Sequence, residues 1–220
     1  MDYKMLSEGD KIAVAVSGGK DSMALLRILH DRKRFVPIKY DILAVHVDLG
    51  YPRSCAKTLE KYFRKIGVNY HIEKVDTLRK TKKTDINCFW CSWNRRKALF
   101  ETADRFGCTK VALGHHMDDI IETTLLNLFF QGEFSTMVPK QELFKGKITI
   151  IRPLAYVEEH LIKRFAKEAQ LPHETCVCPN SVVSNRTRMA RIISEVKRVC
   201  PDVKKNIFRS LKRVKKDYLL

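Results

Sequence analysis

Along the chain, short apolar runs alternate with longer stretches in which apolar residues return every three or four positions. Lys11 to Val16, Tyr40 to Val47, Val68 to Lys74, Lys110 to Leu113 and Ile148 to Ile151 are compact and rich in β-branched residues, a pattern that predicts buried strands. Between them, Asp21 to Asp31, Ser54 to Ile66, Trp93 to Phe106 and Asp118 to Phe130 carry the spacing of amphipathic helices. Gly67 and Gly107 fall where a left-handed residue would end a helix. The order strand, helix, strand predicts an α/β fold: a parallel sheet with helices on both faces. After Arg152-Pro153 the strand pattern fades, and Val157 to Ala169, Asn185 to Arg198 and Val203 to Leu220 read as helices. The expected organisation is an α/β domain over 1–153 and a basic helical region over 154–220. No internal repeat or low-complexity tract interrupts it.

A chain of 220 residues with 45% hydrophobic positions can bury a sizeable core. Charge changes the picture more. Lys and Arg number 42 against 25 Asp and Glu, a net charge of +17. Such a balance favours a polyanionic partner, nucleic acid first. The N-terminal MDYKMLSEGDK has no charged segment leading into an apolar one, and no apolar run is long enough to cross a bilayer. A soluble, cytoplasmic protein with no membrane contact is therefore expected. In a reducing compartment the seven cysteines are not a disulfide framework, so their grouping becomes informative. Cys88 and Cys91 form C-x-x-C, Cys176 and Cys178 form C-x-C, and Cys55, Cys108 and Cys200 stand alone as small buried hydrophobes.

Ligands of parallel sheets bind beyond the carboxyl ends of the strands, where the strand order reverses. Three turns fall at such ends: Ser17 to Ser22, His46 to Tyr51 and Gly114 to Asp119. The first, within VAVSGGKDSMALL, joins a strand to a helix through adjacent glycines. It is not a Walker loop, which needs wider glycine spacing and a Ser or Thr after the lysine, where Asp21 stands. Its physics still suits a phosphate: a sharp turn brings backbone N–H groups and a helix N-terminus to an anion, and Ser17, Lys20 and Ser22 add donors and charge. In GHHMDDIIETT, His115, Asp118 and Glu122 are spaced to share one helix face with Asp119 alongside. Carboxylates there can hold Mg2+ on a triphosphate, or simply satisfy the positive helix end.

The six residues SGGKDS, in a strand-loop-helix context, resemble the pyrophosphate-binding loop of the ATP pyrophosphatase (PP-loop) superfamily, whose members split ATP between the α- and β-phosphates. The resemblance implies a Rossmann-like fold of the adenine nucleotide alpha hydrolase type. It implies that Ser17, Gly18, Gly19, Lys20, Asp21 and Ser22 hold the ATP phosphates, and that the AVHVD segment, with Ala44, His46 and Asp48, borders the adenine. SGGKDS, then C-x-x-C followed by Arg95-Arg96, then Gly114, His115, Asp118 and Asp119 in GHHMDD, is similar to the tRNA thiolation branch, and within it to the 2-thiocytidine synthetases. RPLAYVEEHLIKRFA, Arg152 to Ala166, and a cysteine shortly after Leu171-Pro172 extend the match, which runs from about Glu8 to Cys176. Paired C-x-x-C zinc motifs of the 2-thiouridine branch are not found in residues 1–20 or after Cys200, which favours thiocytidine.

Read from the residues, Cys88 and Cys91 can grip one soft metal. Zn2+ would complete four thiolates with Cys176 and Cys178, an iron-sulfur cluster would take three protein ligands, and a metal-free persulfide or disulfide pair is a further alternative. The resemblance favours a [4Fe-4S] cluster on Cys88, Cys91 and Cys176, with Zn2+ as the alternative. Cys88, Cys91, Asp48 and Asp118 are then the expected catalytic residues, with Gly114, His115 and Asp119 expected at the nucleotide. A pyrimidine C2 oxygen is a poor leaving group, so adenylation followed by sulfur attack is the expected chemistry. A tRNA and a sulfur donor, sulfide or a persulfide carrier, are the implied partners, and a homodimer is a candidate assembly.

From Arg186 to Asp217 there are 12 Lys or Arg against three acidic residues. A second basic cluster, Arg79, Lys80, Lys82, Lys83, Arg95, Arg96 and Lys97, surrounds the cysteine pair. Both suit RNA phosphates, and Phe89, Trp90 and Trp93 offer rings for an unstacked base. Two rival readings remain at this level: another adenylating enzyme such as a tRNA lysidine synthetase, and a zinc-bearing RNA-binding protein.

Overall fold

The computed structural model describes residues 3–50, 54–75, 88–172 and 185–218. Its six strands are β1 (Asp10–Ala15), β2 (Tyr40–Asp48), β3 (Asn69–Lys74), β4 (Lys110–Ala112), β5 (Lys140–Leu143) and β6 (Ile148–Ile151). They form one sheet in the order β3-β2-β1-β4-β6-β5, parallel except for the β5–β6 pair. The helices are α1 (Lys20–Arg32), α2 (Ala56–Ile66), α3 (Cys88–Arg105), α4 (Met117–Phe130), α5 (Glu159–Glu168), α6 (Asn185–Val199) and α7 (Val203–Ser210).

Strand alternation divides the core into two layers. Ile12, Val14, Ile42 and Ala44 face one side, where they pack with Met23, Leu26 and Leu29 of α1, Leu59 and Phe63 of α2, and Ile162 and Ala166 of α5. The intervening residues Ala13, Leu43, Val45 and Val47 meet Ala98, Leu99 and Ala103 of α3 on the other side. Each such Val, Leu, Ile or Met contributes about 1.5–3 kcal/mol when fully buried. A third cluster joins Met117 and Ile121 of α4 to Ile193 of α6 and Val203 of α7, seating the basic C-terminal helices on the α/β body.

Both glycine caps form as expected. Gly67 and Gly107 take φ of 68° and 66°, and Val68 and Cys108 donate back to the carbonyls of Phe63 and Ala103 at 3.1 and 2.8 Å. Elsewhere the structure corrects the sequence reading. β5, KQEL, is an edge strand with half-exposed and exposed positions, so no apolar run marks it. α3 begins at Cys88 rather than Trp93, which puts the cysteine pair inside the first turn and not before the helix. α4 begins at Met117 with His116 as its N-cap, so His115 lies outside the helix and does not share its face with Asp118 and Glu122. The helix expected over Val203 to Leu220 ends at Ser210, followed by a 3-10 turn at Lys216–Tyr218. No helix among the described residues is long and apolar enough to cross a membrane.

Candidate active site at the strand switch point

The chain leaves β1 toward β2 on one side and returns with β4 on the other, so the strand order reverses at β1. At the carboxyl ends of β1, β2 and β4 lies a cavity of about 360 Å³. Ser17, Gly19, Asp21 and Ser22 of the first turn line it, with Val45 to Leu49 at the end of β2, and Gly114, His115 and Asp119 after β4. Ser92, Arg95, Arg96, Leu99 and Phe100 close it from α3. Their spacing of three and four residues is one face of a helix.

The SGGKDS turn is closed by its own serines. Ser17 N–H donates to Ser22 Oγ at 3.1 Å, Ser22 Oγ–H donates to the Gly19 carbonyl at 2.9 Å, and Gly19 N–H reaches Ser17 Oγ at 3.3 Å. Gly18 sits at φ +91°, a conformation that side chains oppose. Gly19 caps α1 without a side-chain hydrogen bond, which leaves the first-turn N–H groups to an outside acceptor. Asp21 Oδ1 is buried with no hydrogen-bond partner among the described residues. His116 Nε2 lies 3.7 Å away, too far for a hydrogen bond, and a buried carboxylate oxygen without one beside a phosphate cradle fits a cation carried with that phosphate.

Lys20 stands differently. Its ammonium lies 3.1 Å from Asp21 Oδ2 and 2.9 Å from Glu159 Oε1, and it does not line the cavity. Glu159 also holds Lys163 at 2.9 Å. Burial pushes the Glu159 carboxyl up, but the hydrogen bonds from Lys163 and Lys20 outweigh it and bring it down to about 2. Gly114 explains how the first and third turns meet. A Cβ there would lie 3.0 Å from Asp21 C and Ser22 N, so a side chain at this position would press the two backbones apart by a few tenths of an ångström.

Among the other expected residues, His46 is buried, and its Nδ1–H donates to the Val16 carbonyl at 2.8 Å, tying β2 to the end of β1. Asp48 lines the cavity, yet both its oxygens fold its own loop, accepting Gly50 N–H at 2.9 Å and Ser54 Oγ–H at 2.6 Å. Ala44 is buried in the first core layer and, like Gly18, is not a lining residue. Asp119 accepts His116 N–H at 3.0 Å and meets Arg186 of α6 at 3.2 Å. Asp118 is brought elsewhere. It is 6% exposed, lines no part of the cavity, accepts the Glu159 N–H at 2.8 Å and forms an ion pair with Lys204 of α7.

Cys91 is half-buried against the second core layer, one residue before Ser92 in the cavity wall. The side chains of Cys88 and Phe89 are not described. Cys176 and Cys178, His173, and the basic residues Arg79, Lys80, Lys82 and Lys83 lie outside the described residues. Among those that are described, no three His, Cys, Asp or Glu stand together as a metal-holding group. Arg95, Arg96 and Lys97 are exposed, and Lys97 Nζ lies 5.5 Å from the ring of Trp93, itself 53% exposed. Sequence reasoning placed Arg95 and Arg96 in the thiolation motif and with RNA but not at the nucleotide cavity, and missed Ser92 altogether; their helical spacing from Cys88 was the available signal. Lys204 had none, being far from every motif in sequence, and Glu159, though inside the Arg152 to Ala166 stretch, carried no sign of its contact with Lys20.

Comparison with known proteins agrees with this geometry. The PP-loop domain family matches residues 2–209. The tRNA-cytidine(32) 2-sulfurtransferase of Geobacter sulfurreducens is 40% identical over 225 residues, spanning 100% of this chain and 88% of the relative. That of Geotalea uraniireducens is 41% identical over 225 residues, spanning 100% and 89%. Among solved structures, the U34-tRNA thiolase NcsA from Methanococcus maripaludis with its [4Fe-4S] cluster superposes with a TM-score of 0.79 at 24% identity, covering 95% of this chain and 72% of that one, a likeness of fold. The chain therefore belongs to the PP-loop domain family, in the group of the tRNA-cytidine(32) 2-sulfurtransferases.

Proposed function

We propose that this protein is an ATP-dependent tRNA sulfurtransferase that replaces the C2 oxygen of a cytidine with sulfur. The observation that carries the reading is the shared cavity: the SGGKDS turn forms one wall and the cysteine-bearing helix α3 forms another. The C2 oxygen attacks the α-phosphorus of ATP, pyrophosphate departs into the Ser17 to Ser22 turn, and the oxygen is now part of an AMP ester. Hydrosulfide then adds at C2 and loses its proton, and AMP leaves with the former carbonyl oxygen; a persulfide carrier would serve only with a second thiol that reduces its S–S bond to release that sulfide. Positioning and charge dominate such transfers.

In this scheme the first-turn N–H groups of α1, with Ser17 and Ser22, bind the departing phosphates, and Asp21 and Asp119 would share a Mg2+ ion. Arg95 and Arg96 bring positive charge to the opposite wall, where phosphates of tRNA or ATP can meet them. Cys88, Cys91 and Cys176 would hold a [4Fe-4S] cluster, with Zn2+ as the alternative. When bound, a cluster with three protein ligands supplies one open iron able to carry sulfur. The division into 1–153, carrying the nucleotide, and 154–220, carrying basic helices for tRNA, belongs to the same proposal. So do a cytoplasmic location, a sulfide or persulfide donor and a homodimer.

Mass spectrometry of tRNA nucleosides from a strain lacking the protein tests the reading. Loss of 2-thiocytidine supports it. Loss of 2-thiouridine or lysidine instead names another branch, and an unchanged profile removes the proposal. For the metal, anaerobically purified protein should be brown, and Cys88→Ala should abolish thiolation while leaving binding of a non-hydrolysable ATP analogue nearly intact. Colourless protein with stoichiometric zinc would overturn the cluster.

A further inference from the structure

Arg152 follows β6 directly and is 5% exposed, a buried cation that no carboxylate among the described residues meets. Its guanidinium is spent on two acceptors. One N–H group donates to the Val138 carbonyl, and Nε–H donates to His115 Nδ1 at 3.2 Å. A guanidinium carries only donors and does not lose its proton in proteins. The His115 nitrogen facing it must therefore be the bare one, and a neutral imidazole with a bare Nδ1 carries its hydrogen on Nε2. His115 lines the cavity, and among the described residues nothing else hydrogen-bonds its ring.

We infer that Arg152 is a positioning residue that fixes His115 as a neutral Nε2–H donor, and that this N–H binds a phosphoryl oxygen of the nucleotide rather than serving as a base. The inference rests on the ATP reading of the cavity. Donation into Nδ1 draws electron density from the ring and strengthens the opposite N–H as a donor. Burial first, and then the Arg152 charge, lower the His115 pKa to about 4, in keeping with a ring that stays neutral. The neighbouring His116 acts differently, capping α4 with its Nε2 lying 3.3 Å from Asp119 Oδ2.

Two-bond 1H–15N correlation spectra of the full-length, anaerobically purified protein read the tautomer directly, with the His115 signals assigned by their loss in H115Q. The expected result at neutral pH is the Nε2–H form for His115. The Nδ1–H form, or a doubly protonated ring, overturns the inference without any variant of Arg152. In the same preparation, R152M should yield a mixture of tautomers. If R152M does not fold, the wild-type spectrum still decides. Affinity for a non-hydrolysable ATP analogue gives the second readout. H115F should weaken it about ten-fold or more, as expected for a lost hydrogen bond to a charged group. H115Q, which returns an N–H at similar reach, should recover most of that loss. Equal affinity in wild type and H115F would sink the donor role. Neither readout depends on which nucleoside is the product. An unchanged tRNA profile in the deletion strain would remove the thiolation reading and leave this one standing.

Discussion

An alanine methyl at position 114 would sit 3.0 Å from two backbone atoms, Asp21 C and Ser22 N, neither of which can rotate away. The Gly114 backbone is not in the left-handed region, so the cost of Gly114→Ala is contact alone. It should be about 1–3 kcal/mol, with weaker binding of an ATP analogue because the first and third turns are pushed apart. Thermal melts and calorimetry check both, and unchanged values in both would mean that the turns part freely. The motif GHHMDD marked this glycine in the sequence, but its neighbour across the sheet was not visible there. Glu159 fell within the matched Arg152 to Ala166 stretch but was not singled out there. Its carboxyl, at about 2 in the folded protein, lies below the ordinary value of 4.5. A depressed carboxylate adds stability above its unfolded pKa and loses it as pH falls through the folded one. Wild type should therefore exceed E159Q in stability by a constant margin above about pH 4.5. That margin should shrink to nothing toward pH 2 in denaturant titrations. A margin that stays flat across this window would show that Glu159 is not held as an anion by Lys20 and Lys163.

Among the elements, α7 is seated by apolar contact and by one ion pair. Lys204 reaches the buried carboxylate of Asp118, whose other oxygen holds the first N–H of α5. K204M leaves that carboxylate short of its cation and should cost about 1–3 kcal/mol, less than a wholly buried pair because the lysine is partly exposed. D118N should cost a similar amount, and the double variant less than the sum of the two. Additive losses in urea titrations would show that the pair is not coupled. If D118N lost thiolation far beyond K204M at matched stability, Asp118 would have a chemical role after all. The sequence placed α3 from the apolar spacing after Trp93 and so began it too late, because the residues CFWCS that open the helix carry no regular apolar spacing of their own. It passed over β5 because an edge strand with one paired neighbour and no buried face carries no period to read.

For the whole molecule, the net charge is +17, and exposed basic residues stand on α6, including Arg188, Arg191, Lys197 and Arg198, and on α3 beside the cavity. Binding to tRNA should fall roughly ten-fold or more between about 50 and 200 mM salt. The double variant R188E/R191E should flatten that slope without changing affinity for the ATP analogue. A salt-independent affinity would argue against backbone recognition. The sequence by itself determined the strand and helix order, the two glycine caps, the phosphate-binding turn and the family, because these rest on local periodicity and on contiguous residues. It could not determine that Arg95 and Arg96 wall the same cavity as SGGKDS, that Asp118 turns away toward Lys204, or that Arg152 sets the hydrogen of His115. Those were decided by tertiary structure alone, since each depends on which strand ends the sheet order brings together and on which side chains burial then forces to share a proton or a charge.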